Sequence, residues 1–576
     1  MSPANGAPVP RFDRSFFTSE ERITRIGEGA LGGKARGLLL ARDILHQMEP
    51  SPEFRVTVPR MAVIATDVFD ALMDRNALDA VVASGRPDDR VALAFQRAEL
   101  PVEIVGDLRA LVEATHTPLA VRSSSLLEDA LYRPFAGVYE TKMIPNNQPD
   151  ADTRFRKLAE AVKLVYASTF FQSAQGYRRA TGQGEQGEKM AVIIQEVVGR
   201  RHGDRFYPDV SGVGRSYNFY PTGSARPDEG VVSLALGLGK TIVDGGQCWS
   251  YSPAHPTAPP PYASAGDLLD NSQTSFWAIN MGRPPEYNPI AETEYLLRGS
   301  LSDAEADGVL RHLASTYDAR SDRLSPGMGV AGPRALTFAP LLVLRQRPLN
   351  DLLKTLIATC ERALECPVEI ELALDLGPEQ AELGFLQVRP MVVSHERVDI
   401  SDGEITGPGL LLASRRAMGN GHVDTILDVV YVKPYCFEAR FTPAIAAEIE
   451  GLNRLLLEEE RPYLLIGFGR WGSSDPWLGI PVSWGQVSGA RVIVEATLPG
   501  MDVEPSQGSH FFHNISSLGV GYLMVSHRGQ PPTDWAWLEA QPSVVETDHV
   551  RYVRLSQPLL VKIDGRVGRG AVWCGA

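Results

Sequence analysis

Apolar positions along the chain fall into two regimes that meet near residue 395. Upstream, short continuous apolar runs alternate with segments of helical period, which predicts an α/β architecture. RMAVIAT (60–66), LAVRSSS (119–125), KMAVIIQEVV (189–198) and GVVSLAL (230–236) read as buried strands. IGEGALGGKARGLLLARDIL (26–45) reads as a glycine-rich turn running into a helix, with Leu38, Leu39, Ile44 and Leu45 on its inner side. FRKLAEAVKLVYASTFFQSAQGYRRA (155–180) has the period of one long amphipathic helix. NDLLKTLIATCERALE (350–365) reads as a helix with Asn350 as its N-cap. CPVEIELALDLGPEQAELGFLQVRP (366–390) gives two strands in hairpin sequence. Beyond about residue 400 the pattern breaks into short strands with Gly, Pro and Trp, and one clear helix over 442–460. The spacing therefore predicts a loose N-terminus over 1–15, an α/β domain over 16–395 and a smaller β-rich α+β domain over 396–576.

Composition narrows the function classes. The 576 residues are too many for one hydrophobic core, and 44% hydrophobic with 22% charged is the balance of an ordinary globular protein. A formal net charge of −14 argues against a nucleic-acid partner, whose footprint is basic and clustered, but leaves room for a local basic pocket. Five cysteines without a CxxC pair are expected of reduced thiols rather than a disulfide framework. The opening MSPANGAPVPRFDRSFF has no apolar core of a signal peptide, and no run approaches the ~18 apolar residues of a membrane span. The expectation is a soluble, cytoplasmic protein without a membrane partner.

Three groups of residues carry chemistry. Lys34 sits where a helix begins after glycines, a place where backbone N–H groups approach an anion, although the pattern is not GxxxxGK[ST]. Arg122 ends an apolar strand and is followed by three serines and the turn PFAGVYET (134–141). Two readings stand for it: a surface turn with an ion pair to Glu128 or Asp129, or a phosphate cradle built on a planar guanidinium. Glu369, Glu371 and Asp375 share a strand face by period two, as do Gln387 and Arg389. A hairpin would set the Glu371 carboxylate beside the Gln387 amide oxygen, a pair suited to Mg²⁺ on a triphosphate. The bland alternative is a half-exposed hairpin with ordinary ion pairs.

Lys34, the RSSS…FAG…ET block, VIIQEVV, LGLGKTIVDGG, IELALD and LQVRP, taken in order, resemble the nucleotide-binding domain of the pyruvate phosphate dikinase and phosphoenolpyruvate synthase family. The resemblance covers roughly residues 20–395 and implies a two-lobed, ATP-grasp-like fold that clamps Mg·ATP. It implies Lys34 and Arg122 on the phosphates, with Gly137 in the loop above them. It sets the strand around Gln195 to Val198, with Gln195 and Val197 as contacts, beside adenine, Glu371 and Gln387 on the metal, and Arg389 as a further phosphate contact. Two departures stand out. Lys240 occupies a glycine-turn position that is usually acidic in the family, and the chain leaves no room for the family's pyruvate-binding barrel.

Full-length relatives relay the phosphoryl group through a histidine in a Thr-Ser-His loop. QGSHFFHNISSLGVGYLMV (507–525) has similar spacing, with Gly508 in place of the threonine and Phe511, Phe512 and His513 after His510. His510 is then either a phosphoryl acceptor, acting with Arg122 as catalytic residues of a divergent phosphohistidine-like domain, or a histidine capping a buried helix. Gly467, Gly469 and Gly472 have GxGxxG spacing, but Pro476, Gly479 and Pro481 forbid the helix a dinucleotide fingerprint needs. Arg470 and Trp471 either line an acceptor pocket or, for Trp471, fill core. The reading is an ATP-dependent phosphotransferase of the dikinase type using ATP and Mg²⁺. The phosphoryl acceptor and any partner protein or homo-oligomer stay open. The alternatives are an ATP-grasp ligase working through an acyl-phosphate and a non-catalytic nucleotide sensor.

Overall fold

The computed structural model describes residues 9–126, 128, 137–180, 188–258, 264–393, 398–473, 475–499, 510–529 and 532–574. The apolar runs of the N-terminal part form strands of two larger sheets. A five-stranded sheet runs in the order Ile23–Ile26, Met61–Ile64, Met190–Glu196, Leu119–Ser125 and Thr141–Ile144. A six-stranded sheet runs Trp249–Tyr251, Val231–Ala235, Val210–Arg215, Val368–Asp375, Ala381–Pro390 and Phe54–Thr57. Met190–Glu196 is buried at six consecutive positions, as an interior strand covered on both faces must be.

The glycine-rich turn enters the helix Gly32–His46, which buries Leu38 and Ile44 and leaves Leu39 and Leu45 half-buried. Gly32 has φ +79°, and a Cβ there would collide with the carbonyl of Ser124, so this junction requires glycine. The segment 155–180 is two helices rather than one, Ala151–Ser168 and Gln172–Ala180. The Asp88 carboxylate accepts from the N–H of Gln172 (2.9 Å), so a residue distant in sequence caps the second helix. Asn350 is not an N-cap. The helix starts at Leu349 behind Pro348, and the Asn350 amide instead donates to the Pro253 carbonyl.

The C-terminal part is one mixed nine-stranded sheet, longer in its strands than the pattern predicts. Its path is Leu410–Ser414, Arg569–Trp573, Val550–Asp564, Asn420–Val432, Tyr463–Phe468, Ala490–Ala496, Gly521–Val525 and Arg416–Met418, with Ser543–Glu546 beside Val550–Asp564. Asn420–Val432 and Val550–Asp564 pair with register shifts between Val423 and Ile426 and between Ile426 and Asp428. Those bulges break the alternation that would have marked long strands. The helix Thr442–Glu458 packs on this sheet, with Ile445, Ile449, Leu452 and Leu456 buried. Tyr463–Phe468 leads into Gly469 and a two-residue strand, Arg470–Trp471, and not into a helix. Trp471 is core, 3% exposed, with its indole N–H on the Val494 carbonyl. No helix among the described residues is long and apolar enough to cross a membrane.

The helix His510–Ser517 is carried by the C-terminal part yet joins the two parts. Phe512 meets the rings of Phe219 and Tyr220 edge-on, each at 5.8 Å, and lies 5.2 Å from the Arg215 guanidinium. His510, at the start of this helix, is thereby held against the N-terminal sheets.

Candidate active site

Lys34, Arg122, Gly137, Gln195, Val197, Glu371, Gln387, Arg389 and His510 all line one cavity of about 370 Å³. These nine meet in one cleft although they span both parts of the chain, whereas Glu369, Asp375 and Arg470 do not line it.

The hairpin Val368–Asp375/Ala381–Pro390 sets the floor. Glu371 and Gln387 are direct cross-strand partners in it. Arg122 reaches them from the five-stranded sheet. Its Nη2 donates to the Gln387 Oε1 at 2.9 Å and lies 3.5 Å from the Glu371 Oε2, while its Nη1 donates to the Leu386 carbonyl at 2.8 Å and the Gln195 Oε1 at 3.3 Å. The carboxylate partner of Arg122 is therefore Glu371 across the cleft, and not Glu128; Asp129 lies outside the described residues. Burial opposes ionisation of Glu371, yet His510, Arg122 and Arg389 outweigh it and hold its pKa well below the carboxylate range.

The serines after Arg122 serve the scaffold. Ser124 accepts from the N–H of Ala35 and donates to the Leu31 carbonyl, fastening the start of the Lys34 helix. Ser123 donates to Glu128 at 2.8 Å, and the Ser125 N–H donates to the same carboxylate at 2.9 Å. Glu128 in turn holds Lys34 (Nζ–Oε1 3.1 Å), which is 8% exposed. Of the turn PFAGVYET, residues 134–136 lie outside the described residues; Gly137 has φ +62°, and a Cβ on it would strike the imidazole of His510.

Arg389 lies behind the floor, 2% exposed, with its Nε on the Glu369 Oε1 at 2.8 Å. Arg215 holds the other oxygen of Glu369. Burial raises the cost of that carboxylate, but the two guanidiniums keep its pKa at about 2. His513 is fully buried beside this cluster, 3.9 Å from Glu369, and burial with Arg389 nearby pushes its pKa well below the usual value.

Lys240, at the glycine turn, lies between Asp244 (3.1 Å) and Glu292 (2.9 Å). Burial lowers its pKa, but these two carboxylates outweigh it and leave the pKa above the ordinary lysine value. Glu140 faces the same corner, and burial together with the charge of Glu292 pushes its pKa up to about 7. The acidic complement missing at position 240 is thus supplied by neighbours. Glu140 stands within the quoted block, whereas Glu292 sits in a loop with no local signal.

His510 brings the C-terminal part into the cleft. Its Nε2 is 3.9 Å from the Glu371 Oε1, and its side chain is 31% exposed. Ser509 lies outside the described residues.

Residues 28–404 match the family model described as the pyruvate phosphate dikinase, AMP/ATP-binding domain. The chain belongs to this family. A phosphoenolpyruvate synthase of Aeropyrum pernix is 27% identical over 228 residues, covering 37% of this chain and 25% of the synthase. A rifampicin phosphotransferase of Streptomyces sviceus is 28% identical over 205 residues, covering 33% of this chain and 22% of that protein. The chain therefore spans about a quarter of the length of the curated relatives it matches.

The donor set suits a hard cation with a polyphosphate. Glu371 Oε1 is buried without a hydrogen-bond partner, and Gln387 offers an amide oxygen opposite it. Among the described residues no group of three or more His, Cys, Asp or Glu could hold a metal alone. Two protein oxygens completed by phosphate and water is the coordination Mg²⁺ favours, so the residues fit that ion.

Proposed function

We propose that this protein is an ATP-dependent phosphotransferase of the dikinase type, with residues 16–395 as a two-lobed, ATP-grasp-like unit that closes on the nucleotide. Residues 396–576 form the unit that presents the acceptor. The phosphates lie against Lys34 and Arg122, the strand through Gln195 and Val197 flanks the base, and Glu371 with Gln387 would hold Mg²⁺. When bound, Mg²⁺ neutralises phosphate charge. Arg122 braces the Gln387 amide oxygen and the Oε2 of Glu371, leaving the Glu371 Oε1 to the metal, and then turns to the phosphates as the nucleotide enters. Lys34, kept in place by Glu128, approaches the phosphates from the helix start. The imidazole of His510 takes the phosphoryl group, a P–N bond forming as a P–O bond of the nucleotide breaks. Positioning and charge neutralisation supply the catalysis.

The supporting observation is the place of His510: it stands in the cleft against Gly137 and beside Glu371, although 139 positions separate it from Glu371 in sequence (510 − 371). Intact mass and nucleotide products after incubation with Mg·ATP, with a His510→Ala variant alongside, test the reading. Acid-labile phosphoprotein in the parent and none in the variant is the expected result. ATP bound but unchanged would remove the relay and favour a nucleotide sensor. ADP release that depends on an added carboxylate would favour the ligase.

A further inference from the structure

The two sheets that wall the cleft are joined by several stretches of chain, and one of these carries a cluster of charges. The strand Met190–Glu196 ends in the five-stranded sheet, and Val210–Arg215 starts in the six-stranded one. Between them lie only residues 197–209, which include the hairpin Arg200–His202/Arg205–Tyr207. Gln195 and Val197 line the cleft where this linker begins, and Pro208 and Ser211 line it where the linker ends. A change in the linker therefore moves one wall of the cleft against the other.

The linker is closed on itself. Gly199 has φ +136°, and a Cβ there would collide with the carbonyl group of Tyr207. The Arg200 Nη2 donates to the Asp209 Oδ2 at 2.6 Å, tying the two ends together. The same guanidinium lies 2.7 Å, Nε to Oδ1, from Asp375 at the end of the strand Val368–Asp375. Asp209 also accepts from the N–H of Leu376 at 2.6 Å, so both ends of the linker are fastened to one strand end of the six-stranded sheet. Another crossing of the chain, between Phe54–Thr57 and Met61–Ile64, passes the same place. A Cβ on Gly384 would strike Val198 of the linker and press on Pro59 of that crossing.

The charges of this cluster do not balance. Arg200, whose side chain is 39% exposed, reaches two carboxylates of which Asp209 is 2% and Asp375 9% exposed. Glu382, the cross-strand partner of Asp375, brings a third, itself 3.6 Å from Arg55. The charge of Asp209 also acts on His202 and His312, whose pKa values burial lowers and whose other charged neighbours are Asp307, Arg205, Arg311 and Arg347. Burial first, and then the charge of Asp209, raise the pKa of Asp375 to about 6 against the pull of Arg200.

We propose that Arg200, Asp209 and Asp375 form a proton-operated clamp that sets how readily the two walls of the cleft separate. With Asp375 protonated, Arg200 and Asp209 are a balanced pair and the linker is held. With Asp375 ionised, two buried carboxylates compete for one guanidinium and the linker loosens. Opening the linker to water returns Asp375 to an ordinary carboxylate, so closure and proton uptake are linked. None of the three residues lines the cleft, and the clamp acts on the cleft through the placing of its walls.

Hydrogen exchange on the full chain without nucleotide tests the clamp, and its result does not depend on what the cleft binds. Protection factors, corrected for the intrinsic effect of pH, are compared at pH 5 and pH 7. The parent should lose about tenfold in protection over 199–209, the change that proton linkage between pKa values of 3.8 and about 6 allows. Asp375→Asn and Asp209→Asn, each checked for a retained melting transition, should keep protection within about twofold over the same interval, because each leaves one carboxylate on Arg200. His202 and His312 titrate in all three chains and cancel in the comparison. A parent without pH dependence over 199–209, a tenfold fall retained in either folded variant, or an equal fall over the strand Asn420–Val432 would each overturn the proposal.

Discussion

Glu369 and Glu371 leave the same strand on the same side, two residues apart, yet are held in opposite ways. Glu369 is 1% exposed, and both its oxygens are taken by Arg215 and Arg389. Its side of the hairpin is closed further by Phe512, stacked against Arg215. Glu371 stands at the cleft with one oxygen near Arg122 at 3.5 Å and the other without a hydrogen-bond partner. Both carboxylates stay ionised, the first because two buried guanidiniums surround it and the second because the cleft faces it with positive and polar groups. Identical residue types on one strand are thus given a closed and an open environment by what reaches them from other sheets. A satisfied carboxylate holds a fold together; an incompletely satisfied one, in a cavity, is available to a ligand.

Substitution should separate the two most sharply at Glu369. Glu369→Gln leaves Arg215 and Arg389 buried without their anion, a loss of about 3–5 kcal/mol for a broken buried pair. Urea denaturation should show that loss, and a fall below 1 kcal/mol would show that the cluster is not what holds the hairpin. Glu371→Gln should do the reverse. Product formation from Mg·ATP should fall about 10²–10³-fold, the scale of one lost electrostatic contact at a reaction centre. Its stability loss should stay below about half that of Glu369→Gln. Equal destabilisation by the two would erase the distinction.

A smaller and more local effect is expected at Gly137, where the two parts meet. Gly137→Ala adds a Cβ where His510 stands, at a φ that favours glycine. Phosphoprotein formation should fall about tenfold while nucleotide affinity, measured by equilibrium binding, stays within about twofold, because the alanine displaces His510 rather than Lys34 or Arg122. Loss of nucleotide binding instead would place Gly137 in the phosphate contacts.

One pair of this cleft was legible from periodicity, the rest only from the resemblance to the family. Alternation in EIELALD put Glu371 on one face with Glu369, alternation in FLQVRP put Gln387 on one face with Arg389, and a hairpin would bring Glu371 and Gln387 together, as the register does. What periodicity could not show was set by contacts distant in sequence. The helix over 155–180 breaks because Asp88 caps Gln172, and nothing inside the segment announces that. Asn350 resembles a cap, but Pro348 fixes the entry of the chain and Pro253 claims the amide. The serines after Arg122 resemble a phosphate loop, but Glu128, three to five residues on, draws two of them into the support of Lys34. In each case a local motif was correct in chemistry and redirected by a partner from elsewhere.

The least of the expected effects extends the comparison to a third glutamate. Glu140 lines the cleft, and burial with Glu292 opposite raises its pKa to about 7 from an ordinary 4.5. The folded chain therefore holds a proton between those values that the unfolded chain has released. Its contribution to stability is complete below pH 4.5 and is lost as the pH rises through 7, at no more than about 1.4 kcal/mol per pH unit. Asp375 acts in the same sense over a lower window: burial and the neighbouring Asp209 raise its pKa from 3.8 to about 6. Denaturation curves of the parent and of Glu140→Gln across this range should show the parent losing stability relative to the variant from pH 4.5 to 7, a difference in which the opposite trend of the buried His513 cancels. Asp375 and His513 titrate in both chains and so do not enter that difference. A difference that stays flat from pH 4.5 to 7 would mean that Glu140 is ionised throughout, sharing the Lys240 charge with Asp244 and Glu292. Glu140 would then join Glu369 as a carboxylate whose charge is fully met within the fold.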